Sequence, residues 1–201
     1  MSFGYRSIVP MVDDVINDYA SKVLMFAAAS NCGGNASISW PARHDNVISI
    51  FATDAEGNFY SKNPTPRDDS SNFAVLGSSI QGHWPSHLVD GPDSLQHKSG
   101  TSCAAPIAAG IAGVIIDLMR RQKEQYLLRY KAFGEQRQIR ERQDYEQHLR
   151  TLGRPWGMKA VLALMAEKRQ GYDYVAPWRL LDEDDEDMYV VKHLLNTLKR
   201  R

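Results

Sequence analysis

Residues 100–119 read GTSCAAPIAAGIAGVIIDLM. From Ser102 onward almost every side chain is small or apolar, which predicts a helix buried on every side. Pro106 fits its first turn, where a missing N–H costs little. Such a helix needs a sheet to lie on, and the preceding sequence offers three apolar runs. Residues 23–29 (VLMFAAA) and 47–52 (VISIFA) read as buried parallel strands, and 72–77 (NFAVLG) as a shorter third. The first run empties into SNCGGN at 30–35, a loop. Pro10 opens a helix over 10–21, with Met11, Val12, Val15, Ile16 and Tyr19 at near-helical spacing. Residues 54–71 and 81–98 read as polar loops. The alternation implies an α/β fold.

Beyond Met119 the texture changes. Residues 1–119 hold 6 basic and 11 acidic side chains, whereas 120–181 hold 14 and 7. The basic excess reads as solvated helix surface. Residues 120–153 predict a long exposed continuation or a helical hairpin, broken by Gly153-Arg154-Pro155. An amphipathic helix follows over 157–168, with Gly171 placed as its C′ glycine. Residues 172–181 read as a closing strand, 182–187 as an acidic linker, and 189–198 as a short final helix. The predicted units are 1–119, 120–153, 154–181 and 182–201.

The chemistry concentrates at Gly100-Thr101-Ser102-Cys103-Ala104-Ala105-Pro106. A serine delivered to a helix start meets unpaired backbone N–H groups and the positive end of the helix dipole. It could attack a carbonyl there while its own N–H holds the oxyanion. An isolated serine at such a point is more often an N-cap.

The segment resembles the nucleophile motif Gly-Thr-Ser-x-Ala-x-Pro of the subtilisin-like serine peptidases, the subtilase family. Met1-Ser2-Phe3-Gly4 is similar to the family's Ser-x-Gly substrate edge. Phe26-Ala27-Ala28-Ala29-Ser30-Asn31 resembles the strand ending in the oxyanion-hole asparagine. Trp40-Pro41-Ala42 and Asn72-Phe73-Ala74 resemble later blocks, and the segment from Trp156-Gly157-Met158 to Trp178 resembles the domain's last helix and strand. Fungal, non-secreted members look nearest. The resemblance implies a doubly wound, mostly parallel sheet with its N-terminal part absent. It implies Ser102 as nucleophile and Asn31 as oxyanion donor. Ser2, Phe3, Gly4, Ala28, Ala29 and Ser30 would flank the substrate. The implied partner is a peptide or protein substrate.

The departure lies in the base. A serine hydroxyl is a poor nucleophile without a group to take its proton. Subtilases carry an Asp motif and a His-Gly-Thr motif, in that order, ahead of the Ser-x-Gly segment. Here His44, His83, His87 and His97 precede Ser102 but none is followed by Gly-Thr. Asp90-Gly91-Pro92 and Asp93-Ser94-Leu95 do not form the acid motif, and His148 and His193 come too late. No triad Asp or His is therefore assigned. Negligible hydrolysis is expected of these 201 residues, with a non-catalytic peptide-binding or scaffold remnant as the rival function. An unpaired strand edge is also expected, with poor solubility or a partner that covers it.

Composition narrows the rest. Two cysteines exclude a disulfide scaffold. Each follows a candidate site residue, so thiol reagents at Cys32 or Cys103 are expected to block the cleft, unless both are buried hydrophobes. No apolar run is expected to reach the ~18 residues of a membrane span, and no secretory leader is visible, so the cytoplasm is favoured and no membrane partner is expected. Glu and Asp interrupt the basic stretch 120–150, which argues against nucleic acid. No cofactor is implied. Calcium is common in the family, but no ligand set is assignable here.

Overall fold

A computed structural model of the protein describes residues 1–88, 95–182 and 186–199. Its frame is a five-stranded sheet in the order β1-β2-β3-β7-β6. Strands β1 (Met25–Ala28), β2 (Val47–Thr53) and β3 (Phe73–Leu76) are the three apolar runs. They pair in parallel, Met25 opposite Val47 and Phe51 opposite Ala74. Strand β7 (Tyr172–Val175) joins β3 in parallel, and β6 (Ala166–Arg169) closes the sheet antiparallel to β7. The sheet is thus mostly parallel, as expected.

Alternation along the strands divides the core. Ile48, Ile50 and Ala52 of β2 face one layer, and Val47 and Phe51 the other. The first layer is covered by α2 (Thr101–Leu128), through Ala104, Ala108, Ala112 and Ile115. The second is closed by α1 (Pro10–Tyr19), through Ile16, and by loop residues Ile38 and Trp40. A short 3-10 turn at Lys131–Phe133 folds the chain back into α3 (Glu135–Leu152). Helices α4 (Pro155–Leu164) and α5 (Asp187–Lys199) complete that side. The 120–153 stretch is therefore a helical hairpin, and Tyr145 and Leu152 of α3 are buried in the main core.

Four expectations need correction. Helix α2 is not buried all round: Pro106, Ala109, Gly110, Gly113 and Val114 form an exposed stripe of small residues. Contrary to the membrane expectation, α2 is long and apolar enough to cross a bilayer by length and composition; in this fold it lies against the sheet. The supposed polar loop 81–98 contains an antiparallel ribbon, β4 (Ile80–His83) with β5 (Leu95–Lys98). Its strands bury almost nothing, so they carry no hydrophobic alternation to read. Finally, α4 ends at Leu164, and Gly171 is no helix cap. Gln170 and Gly171 have φ of 52° and 88° and form the two-residue turn between β6 and β7. Residues 89–94 of the proposed polar loop and 183–185 of the acidic linker lie outside the described residues.

Candidate active site

The C-terminal ends of β1 and β3 meet the start of α2. Gly100 precedes the helix with φ of 143°, and its N–H donates to Gly77 O at 2.8 Å. Gly77 has no room for a side chain: a Cβ there would lie 2.9 Å from the Cβ atoms of both Ala52 and Ala104. A Cβ on Gly100 would lie 2.9 Å from both side-chain amide atoms of Asn31. Both glycines are close-approach positions that draw loop, strand and helix together.

The first turn of α2 leaves one amide over. Thr101 N–H donates to Asn31 Oδ1 at 2.9 Å. Cys103 and Ala104 N–H both reach Gly100 O, at 3.0 and 3.3 Å. The Ser102 N–H has no acceptor among the described residues. Ser102 is not the capping residue, since Gly100 holds that position and no side chain caps the helix. The half-buried Ser102 hydroxyl is thus left uncommitted beside a free backbone donor.

The Asn31 side chain is engaged with the start of α2 rather than with its own loop. Because its partner is a backbone N–H, the bonded atom must be the amide oxygen. That leaves Nδ2, with two N–H donors, bonded to no acceptor among the described residues. The Thr101 hydroxyl lies 3.2 Å from both Ser30 O and Asn31 Oδ1 and can donate to one at a time. Thr101 is fully buried and clamps Asn31. The sequence pattern alone does not give Thr101 or Gly77 this part. Thr101's place inside Gly-Thr-Ser was the available signal.

A third segment reaches the same point. Ser2 Oγ donates to Ser102 O at 3.2 Å, and Ala28 N–H donates to Met1 O at 2.9 Å. Tyr5 pairs antiparallel with Trp40, and Gly4 packs so tightly on Ser39 that a Cβ would come within 2.6 Å. Ser2, Phe3 and Gly4 are exposed and available to a ligand. Ala28 and Ala29 are buried, so only their backbone can take part. Ser30 is half-buried, and its hydroxyl accepts the Cys32 N–H at 3.2 Å. Both cysteines are free; Cys32 is exposed and Cys103 half-buried.

The histidines lie apart from this cluster. His44 Nδ1 accepts the Asn46 N–H at 3.0 Å, which puts the ring proton on Nε2, 3.5 Å from Asp13 Oδ1. That pair sits ahead of β2, at the opposite end of the strands. His83 and His97 are in the β4–β5 ribbon, where His97 Nδ1 lies 3.1 Å from Ser79 O. His148 is on α3 and His193 on α5. No histidine hydrogen-bonds Ser102 among the described residues. Asp90 and Asp93 lie outside them.

Parallel strands, a Gly-Thr-Ser helix start and an asparagine clamped across 70 residues point one way, and a model of the subtilase family matches residues 1–142. The chain belongs to that family. The match ends within α3. M-protease of Shouchella clausii (strain KSM-K16) is 28% identical over 115 residues, 57% of this chain and 28% of that protein. Subtilisin BL of Lederbergia lenta is 28% identical over the same length, 40% of its own. Subtilisin-like protease het-Q2 of Podospora anserina is 24% identical over 178 residues, 85% of this chain and 44% of that protein. Among solved structures, PatG macrocyclase in complex with peptide superposes with a TM-score of 0.50 at 20% identity, over 60% of this chain and 36% of that one. That likeness supports the fold. The chain spans less than half the length of each of these proteins. It carries part of a subtilase serine peptidase domain. Among the described residues there is no group of three or more His, Cys, Asp or Glu side chains that could hold a metal ion.

Proposed function

We propose that this chain carries the nucleophile and oxyanion donors of a subtilisin-like serine endopeptidase. Ser102 Oγ attacks the scissile peptide carbonyl. The resulting oxyanion accepts hydrogen bonds from the Ser102 N–H and Asn31 Nδ2. Collapse expels the amine, which leaves with the proton that a base has taken from Ser102, and water then releases the acyl group as a carboxylic acid and restores the Ser102 hydroxyl. The observation that carries this reading is the pair of uncommitted donors beside an uncommitted serine hydroxyl. The extended segment Ser2-Phe3-Gly4 offers the backbone edge along which a peptide lies.

The proton acceptor is the missing part. Triad members act as a unit, so without a base most catalysis is lost. We expect negligible hydrolysis of a peptide anilide by the 201-residue chain. The test compares that chain with a longer natural polypeptide that includes it together with upstream Asp and His-Gly-Thr motifs. Hydrolysis by the longer form, abolished in Ser102→Ala, is the expected result. In that form Asn31→Ala should cost about 10²–10³ in turnover, the loss known for such a donor in a subtilisin. Hydrolysis that survives Ser102→Ala would sink the assignment.

The exposed Ser2-Phe3-Gly4 edge also favours a second reading, a peptide-binding remnant without turnover. It predicts that a peptide aldehyde and a plain peptide bind equally, and that Ser102→Ala changes neither.

A further inference from the structure

About 40 Å along α2 from Ser102, by helical rise, the chain builds a second concave surface. The end of α2, the turn at Lys131–Phe133 and α5 enclose a groove of about 410 Å³. Its apolar walls are Tyr130 and Phe133, and Phe133 is 72% exposed. Its charged lining is Arg129, Lys192 and Lys199, with the Asn196 amide between them and no acidic residue.

Several surrounding cations are paired, although Arg120, Lys131 and Arg140 also form no ion pair among the described residues. On the neighbouring faces of α2 and α3, Arg121 pairs with Asp117, Lys123 with Glu146, and Arg142 with Glu124. Arg137 is held by Glu141, which also accepts from the Tyr126 hydroxyl at 3.4 Å. Helix surfaces rich in both signs normally settle into such pairs. Arg129, Lys192 and Lys199 form no ion pair among the described residues and all three line one groove with an exposed aromatic ring, Lys199 at its border with a neighbouring pocket that holds Asp144. The chain's own Asp187, at the start of α5, is bonded to Gln122, and by helical rise lies about 7.5 Å from Lys192 and about 18 Å from Lys199.

We propose that this groove docks an acidic peptide segment of a partner protein, with a bulky apolar side chain anchored against Tyr130 and Phe133. Carboxylates of the partner would complete the three open cations, and the anchor would cover the exposed ring. The groove's chemistry is independent of Ser102, so docking and hydrolysis fail or succeed separately.

The test uses the 201-residue chain and a fluorescein-labelled synthetic helix of Glu, Leu and one Trp, followed by fluorescence anisotropy. Saturable binding that weakens with added salt is expected. The same peptide with Lys in place of every Glu should not bind. Lys192→Glu combined with Lys199→Glu should weaken binding by about tenfold or more. Phe133→Ser should weaken it several-fold, and Lys22→Glu, next to α1 on the opposite face of the sheet, should leave it unchanged. Far-UV circular dichroism checks the folding of each variant. If the double reversal does not fold, the exposed Lys192→Gln supplies the reading, with a smaller loss expected. Equal binding of the wild type and the groove variants overturns the proposal. So does binding of phosphatidylserine vesicles, but not the peptide, in a way these variants abolish. A dimer in sedimentation broken by the double reversal, with no peptide binding, also overturns it by making a second copy the occupant.

Discussion

The two edges of the sheet are built by opposite rules. Strand β6 is Ala-Glu-Lys-Arg, and its charges are all engaged. Lys168 pairs with Asp173 at 2.8 Å, and Glu167 receives both Arg169 and Arg179, at 3.2 and 2.7 Å. Arg169 also lies over the Tyr174 ring and donates to Glu56 O. Strand β1 is Met-Phe-Ala-Ala and carries no charge. Outward of β1, among the described residues, Met1 alone pairs with it, its nitrogen donating to Phe26 O and its carbonyl accepting from the Ala28 N–H. An apolar groove of about 290 Å³ runs beside it, lined by Met25, Phe26, Pro106 and Ala109. Charged edges resist pairing with another chain, whereas an apolar one invites it. The β6 edge is therefore finished, and the β1 edge, with the small-residue stripe of α2 next to it, is made to be covered.

The harshest break of that contrast is Phe26→Ala. Although it lies on an edge strand, Phe26 is only 7% exposed and belongs to the main core. Losing the ring should cost about 3 kcal/mol, toward the low end for buried Phe→Ala because one side of the strand is open. A urea unfolding series reads this as a lower midpoint at unchanged slope. A cost within error would mean that β1 is not a core strand. Next in size is association. The wild-type chain should self-associate with rising concentration in sedimentation velocity. Met25→Lys places a charge on the half-buried end of the apolar edge and should shift the population toward monomer. A clean wild-type monomer with one sharp thermal transition would remove the case for an open edge.

How much of this was legible in the sequence depends on burial. Strands β1, β2 and β3 are covered on both faces, so they appear as apolar runs interrupted only at Ser49 and Thr53, and all three were readable. Strands β4 and β5 bury almost nothing and left only Pro, Gly and polar letters. The stretch Ala166–Arg169 suited a helix as well as a strand. What decides it is the Gln170-Gly171 turn, whose two positive φ angles bring β6 back onto β7. The α2 stripe was hidden because small residues look alike whether a neighbour covers them or not. At the site, Ser102 and Asn31 were visible through a motif. Their connection runs through Thr101, 70 residues from Asn31 in sequence, and only the fold brings these together. The groove near Phe133 was invisible for a related reason. Charge counts gave a basic excess, but which cations find partners is a matter of helix packing.

The smallest expected effect lies on the finished edge and is specific in pH. Hydrogen bonding from Arg169, reinforced by the Arg169 and Arg179 charges, holds the Glu167 carboxyl below its usual value of 4.5. The folded state therefore binds this proton less readily than the unfolded chain, and stability rises with pH through that window. The contribution is complete above the usual value and fades as pH falls through the folded one. Glu167 is a surface group screened by water, so Glu167→Gln should barely move the unfolding midpoint at neutral pH. The small difference from wild type should shrink further as the pH is taken below 4. Urea midpoints of the two proteins, measured side by side from neutral to acid pH, check this. A difference that grew toward acid would reverse the sign and remove the arginine pairing as its cause. A loss as large as that of Phe26→Ala would mean that β6 depends on its charges for folding, and the contrast between the two edges would no longer hold.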